Sequence, residues 1–496
     1  MAGNVAADID VLIVGAGISG ISMAAHKKML CPGRSFAMVE RRDNLGGTWD
    51  LFKYPGIRSD SDMHSFGFRF EPWIHEQSIA DGPNILDYLN RVVDERGIRE
   101  HIRFGRKVLS ADWNSAQAVW QVELEDSAGA RSTLHAKFLY LGSGYYDYDQ
   151  PYDPGFAGKE SFKGTLIHPQ FWPEDLDYAG KQVVVVGSGA TAVTIVPAMA
   201  RKAAHVTMLQ RTPTWMGARP AKDWIANFLR KLLPEKLAYR ITRFKNIRMH
   251  SFVFKRARSR PEKVANFLTR KMQAALGPAY NEKDFRPPYN PWEQRLCLVP
   301  DGDMFETIKA GRASVVTDAI DRFDESGIQL ASGKHLDADI VVTATGLALT
   351  LGGKIAISLD GEKVDFSQRW FYRGCMFSNV PNFAVVFGYL NAAWTLRADN
   401  TASYVCGVLN RMEELGADMA RPHLPEDHTL SEDNPYAFSS GYIERARGLM
   451  PRSSPALPWR HNMDYLADAK DFRERPIDDG VLAFDRKPAA QAQAAE

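Results

Sequence analysis

The chain has 496 residues, 45% of them hydrophobic and 24% charged, with a formal net charge of +1. Such a composition describes an ordinary globular protein of about two to four domains with filled cores, and it excludes the strong basic bias expected of a nucleic-acid-binding protein. Four scattered cysteines, Cys31, Cys297, Cys375 and Cys406, form no CxxC pair, so neither a disulfide framework nor a thiolate metal site is expected. No basic segment precedes the first apolar run, which is short and glycine-rich, so the expectation is a cytoplasmic chain without signal peptide or membrane span.

The first element, "DVLIVGAGISG", is an apolar strand that runs through Gly15, Gly17 and Gly20 into an apolar helix. In such a unit Gly15 makes the turn, Gly17 lets a pyrophosphate approach the backbone, and Gly20 lets helix and strand pack closely. A lone GxGxxG is weak evidence. Here "SFAMVE" supplies a second strand ending on Glu40, 25 residues after Gly15, where a carboxylate can accept hydrogen bonds from ribose hydroxyls. This loop suits FAD.

A second copy, "QVVVVGSGATA", runs from its turn at Gly187 through Ser188, Gly189, Ala190 and Thr191 to Ala192, where a third glycine would stand. Its second strand, "HVTMLQR", ends on neutral Gln210, followed by Arg211 and Thr212. A carboxylate there would repel a 2′-phosphate, whereas arginine offers a permanently charged fork, so this loop suits NADPH. The plainer alternative for Arg211 is an ordinary surface cation.

Strands ending near Gly144 and Gly346 bracket the second loop. The predicted fold is therefore α/β, with two Rossmann-like dinucleotide-binding domains, the NADPH domain inserted into a discontinuous FAD domain. The expected division is FAD domain at 1–146 and 345–480, NADPH domain at 147–344 with a basic helical excursion at about 222–275, and a flexible tail at 481–496. Between Lys222 and Lys271 stand 15 Lys or Arg and 3 Asp or Glu, interleaved with apolar residues. The expectation is that the apolar face packs on the protein's own core while the charges face water. The alternative is a helix pair making weak contact with a membrane surface, peripheral to the bilayer.

Two dinucleotide folds in one chain also occur in flavin disulfide reductases, but Trp49 stands where the first redox cysteine would be. The flavin must then carry the reaction itself. "GGTWDLFKYPGIRSD" fits GGxWxxxxYPGxxxD, and "FKGTLIHPQFWP" fits FxGxxxHxxxWP with Phe162, Gly164, His168 and Trp172 in register. With the two loops, these motifs resemble those of the Baeyer-Villiger monooxygenases, within the class B flavoprotein monooxygenases. The similarity extends to about Leu396, and the segments around the YPG motif and Arg295 look like the branch containing the ethionamide-activating and long-chain alkane flavin monooxygenases.

The resemblance implies an FAD- and NADPH-dependent monooxygenase that inserts one oxygen atom of O2 into ketones through a flavin-peroxide, giving esters or lactones, and oxidises thioethers to sulfoxides. Its alternatives are an enzyme whose main duty is sulfoxidation or hydroxylation of long-chain or drug-like substrates, and a redox sensor that does not turn over. By position in the motifs, Arg295 is the arginine that stabilises the peroxide with NADP+, and Asp60 is the carboxylate that orients it, unless Asp60 caps the following helix. The carry-over places Ser19, Gly47, Thr48, Trp49, Asp60 and Val108 at FAD and Ser59, Arg211 and Thr212 at NADP+. Gln294 stands where the family often has a lysine, leaving Arg211 alone at the 2′-phosphate. His168 and Trp172 are expected to anchor and pack the domain seam rather than to do acid–base work. Trp394 is a candidate wall of the substrate pocket, or simply core. Nothing in the sequence sets the oligomeric state.

Overall fold

The structure, a computed structural model, describes residues 6–436 and 439–488. Its first strand, Ile9–Val14, is apolar at every position from Val11 to Val14 because both of its faces are covered, as a central parallel strand requires. It pairs in parallel with Phe36–Val39 on one side and Arg131–Leu141 on the other, and the helix Ile18–Leu30 follows it directly. The long strands Arg106–Asn114, Val119–Asp126 and Arg131–Leu141 continue the sheet as an antiparallel meander. Late strands complete it: Ala356–Leu359 adds beside Arg106–Asn114, and Phe383–Val385 pairs with Arg131–Leu141.

A second sheet is wholly parallel, in the order Ala313–Thr317, His205–Gln210, Gln182–Val186, Ile340–Thr343 and Thr165–Ile167. All its strands come from 165–343, between two sets of strands belonging to the first sheet. The inserted arrangement is thus visible in the strand order. The two chain crossings lie side by side, with Asp147 N–H donating to Ala348 O at 2.9 Å and Thr350 N–H to Tyr145 O at 3.0 Å.

Two expectations are corrected. The tail expected from 481 begins with a strand, Leu482–Asp485, antiparallel to Met419–Pro422, and burial of Leu482 holds it there. Residues 489–496 lie outside the described residues. The basic stretch forms three helices, Trp224–Leu232, Glu235–Ser259 and Pro261–Leu276, with Pro234 and Pro261 at the breaks. The third helix buries Leu268, Met272 and Leu276 in the core as expected, whereas the first two leave most of their large apolar side chains exposed. The long helix buries Ala238, Tyr239, Thr242, Arg243 and Asn246, because the chain beneath presents polar groups: Arg243 Nη1 donates to the carbonyls of His64, Ser65 and Gly67, and Asn246 Nδ2 donates to Asp62.

Candidate functional site

The first loop closes tightly on its strand. A Cβ on Gly20 would lie 1.9 Å from Gly15 O, so only glycine lets the helix N-terminus stand this close to the turn. Gly17 faces Gly47 across the loop, and beside them the short helix Thr48–Leu51 begins. Glu40 follows the second strand; its carboxylate accepts N–H bonds from Ala16 at 2.8 Å and Arg42 at 3.0 Å. Burial raises the Glu40 pKa against these bonds.

These groups line one cavity, together with Ser19, Trp49, Ser59, Asp60, Val108, Ala190, Thr191 and Trp394. The cavity fits a flavin nucleotide on three counts. The loop and helix N-terminus offer N–H donors to a pyrophosphate, a carboxylate waits at the ribose-reading position, and the enclosed Ser143 Oγ has no hydrogen-bond partner among the described residues. Around it stand Tyr54 of the YPG motif and three tyrosines that the motif reading had not singled out. Burial pushes Tyr54 and Tyr148 up to about 12 and raises Tyr145 and Tyr146 as well, so all four remain neutral hydroxyls. The run "GSGYYDYD" at the end of a strand was the available signal.

The second loop repeats the geometry. At Gly187 φ is 136° and a Cβ would meet Ala344 O at 2.3 Å, whereas around Gly189 nothing lies within 4 Å, leaving backbone open to a phosphate. Ser188 Oγ donates to Thr212 O at 3.0 Å, and Ala192 is fully buried at the position of the third glycine. Gln210 is buried and donates to Asp284 O and Thr317 Oγ1. Arg211 is exposed and, among the described residues, free of hydrogen-bond and ion-pair partners, so its guanidinium is available to a phosphate.

Arg295 and Asp60, 235 residues apart, form a two-point ion pair: Nε lies 2.9 Å from Oδ2, and Nη2 donates to Oδ1 at 3.2 Å. Asp60 is no helix cap; Asp62 takes that role, accepting from Ser65 N–H at 3.1 Å. The Asp60 charge keeps the guanidinium protonated. Close by, Cys297 is buried and its thiol is pushed up to about 11, so it offers no thiolate.

The pair stands where the first cavity meets a second of about 460 Å³. Largely apolar, the second is walled by the long basic helix, by Trp292, Leu296 and Leu298, and by Leu390, Ala393 and Leu396. Within it His250 Nε2 is bonded to Asn391 O at 2.5 Å. Trp394 packs against the core and does not line the second cavity. It lines the first cavity, donating through Nε1 to Ser19 Oγ at 2.8 Å and stacking on Tyr145 at 4.7 Å, because it begins a helix that packs under the first loop.

The FxGxxxHxxxWP segment lies away from both. Phe162 meets Phe323 edge-on at 6.1 Å, Gly164 precedes the edge strand Thr165–Ile167, and Trp172 packs against the second sheet's core. His168 Nε2 is 3.3 Å from Gly346 O at the return crossing, and burial lowers its pKa.

A family model described as pyridine nucleotide-disulphide oxidoreductase matches residues 12–264. The probable FAD-binding monooxygenase AlmA of Acinetobacter baylyi is 49% identical over 480 residues, 97% of this chain and 96% of its own. The FAD-containing monooxygenase EthA of Mycobacterium tuberculosis is 48% identical over 484 residues, covering 97% and 98%. Among solved structures, oxidized steroid monooxygenase bound to NADP has a TM-score of 0.74 at 21% identity, covering 96% of this chain and 99% of that one. The OTEMO complex with FAD and NADP has a TM-score of 0.70 at 22% identity, covering 84% and 87%. At such identities these two structures speak for the fold.

Proposed function

The chain belongs to the FAD-containing monooxygenase family, and on that premise we propose that it oxygenates ketones to esters or lactones and thioethers to sulfoxides. For a ketone the balance is ketone, O2, NADPH and a proton giving ester, NADP+ and water. The observation that carries this reading is the Arg295–Asp60 pair at the junction of the two cavities.

Bound FAD supplies the ring that takes a hydride from NADPH and brings O2 to a reactive state. The protein's part is to bind and to place charge. The first loop and Glu40 would hold the FAD pyrophosphate and ribose, and the second loop with Arg211 would hold NADPH by its phosphates. Arg295 would set a fixed positive charge that favours the anionic form of the oxygen that attacks a carbonyl, and Asp60 would fix its orientation. The neutral tyrosines around the first cavity are hydrogen-bond donors in a site from which the cofactor displaces water.

The apolar walls of the second cavity favour lipophilic substrates, so sulfoxidation or hydroxylation of long-chain or drug-like molecules is the second reading for its main duty. No described helix is long and apolar enough to cross a membrane. We place the protein in the cytoplasm, peripheral to the membrane. Turnover of a ketone panel under 18O2 tests the chemistry. One heavy atom in each ester supports it; NADPH consumption that yields only hydrogen peroxide sinks it.

A further inference from the structure

Nine of the eighteen large apolar side chains exposed among the described residues lie within residues 224–253. Trp224 is 74% exposed, Phe244 61% and Phe252 65%, values that an ordinary surface helix would reserve for charged residues. The long helix Glu235–Ser259 is inverted relative to that pattern. Its inner face is fastened by polar groups, chiefly Arg243 and Asn246, and its outer face presents Leu237, Ile241, Phe244 and Phe252. Cations flank this ridge, among them exposed Lys231, Lys236, Arg240 and Arg248, in a stretch of net charge +12 within a chain of +1.

An apolar ridge set among cations matches the interface of an anionic bilayer, where the rings enter the acyl boundary and the charges meet headgroups. A second copy would bring the same cation-rich surface against itself, and facing like charges disfavour that pairing. The ridge is also continuous with the second cavity. Met249 and Val253 line that cavity and are 58% and 45% exposed, so its mouth opens on the ridge. We propose that this face docks on an anionic lipid surface and that lipophilic substrates dissolved there reach the second cavity past Met249 and Val253. The docking stands on the surface alone; the fate of the substrate rests on the oxygenation proposed above.

The holoenzyme is floated with vesicles of phosphatidylcholine, with or without phosphatidylglycerol, at low salt. It should rise with the anionic vesicles only. A Phe244→Ser/Phe252→Ser variant should bind them about tenfold more weakly, and Lys236→Gln/Arg240→Gln about fivefold more weakly per lost cation. Both variants should oxidise a water-soluble thioether at the parent rate, yet turn over a long-chain ketone supplied in vesicles more slowly. No flotation at low salt would overturn the proposal. So would a dimer in sedimentation that the phenylalanine variant dissolves while vesicle binding is unchanged, since the ridge would then be a subunit interface. Flotation needs no turnover, so binding without oxygenation would refute only the proposed chemistry.

Discussion

Asp60→Ala removes both oxygens that hold Arg295, one from Nε at 2.9 Å and one from Nη2 at 3.2 Å. At an effective dielectric of about 20, opposite charges about 4 Å apart attract by about 4 kcal/mol. The Arg295 and Asp60 side chains are 36% and 28% exposed, and solvent screening leaves about 1–2 kcal/mol of that. If Asp60 acts only by orienting the arginine, oxygenation should slow about 5- to 30-fold in Asp60→Ala. Arg295→Ala removes the charge itself and should cost about 100- to 1,000-fold, with hydrogen peroxide replacing ester. The assay is ester formed per NADPH oxidised, followed for both single variants and the double. The double should be no slower than Arg295→Ala alone, because Asp60 then has nothing left to orient. If the two losses multiply, Asp60 acts on the reactants directly and the reasoning fails. Ester formation by Arg295→Ala at the parent rate would show that no fixed charge is needed there.

Arg211→Gln should raise the KM for NADPH about 10- to 100-fold and leave that for NADH nearly unchanged, since a charge-assisted phosphate contact is lost; a change below about threefold would remove Arg211 from the nucleotide site. His461 sits between Phe371 and Phe387 with neither ring nitrogen bonded among the described residues, and burial drives its pKa well below the usual histidine value. The native state then takes no proton where the unfolded chain does, so stability is held above about pH 6.5 and lost as pH falls below it, at about 1.4 kcal/mol per pH unit for each such histidine. Urea unfolding between pH 7.5 and 5.5 (about the range histidine governs) should show a shallower loss for His461→Phe; an unchanged slope would contradict the burial argument. His168→Gln cuts the tie to Gly346 and should lower the melting temperature and the turnover rate without moving the pH–rate profile. A displaced profile would make His168 an acid or base.

Both nucleotide loops were legible because their requirement is local. Gly15, Gly20 and Gly187 sit where a Cβ would strike backbone, and such steric demands are written within a few residues of chain. The positions of Glu40 and Arg211 were legible for a related reason, each directly following the strand after its loop. The surroundings of Trp394 were not legible because they are set by Ser19 and Tyr145, 375 and 249 positions away, and no pattern around residue 394 contains them. Tyr145, Tyr146 and Tyr148 were passed over because neutral hydroxyls lining a cavity read, in sequence, like core aromatics.

What the sequence determined by itself is the kind of machine: two dinucleotide loops, one inserted into the frame of the other, and no thiol pair to carry electrons onward. The basic stretch was also legible as helical. The tertiary structure decided the rest, because direction and distance are properties of packing. It brought Arg295 onto Asp60, joined two cavities at that pair, and turned the apolar side of the long helix outward when Arg243 and Asn246 claimed the polar groups beneath. A helical stripe shows which side chains travel together; only the surface that meets the helix selects which stripe is buried.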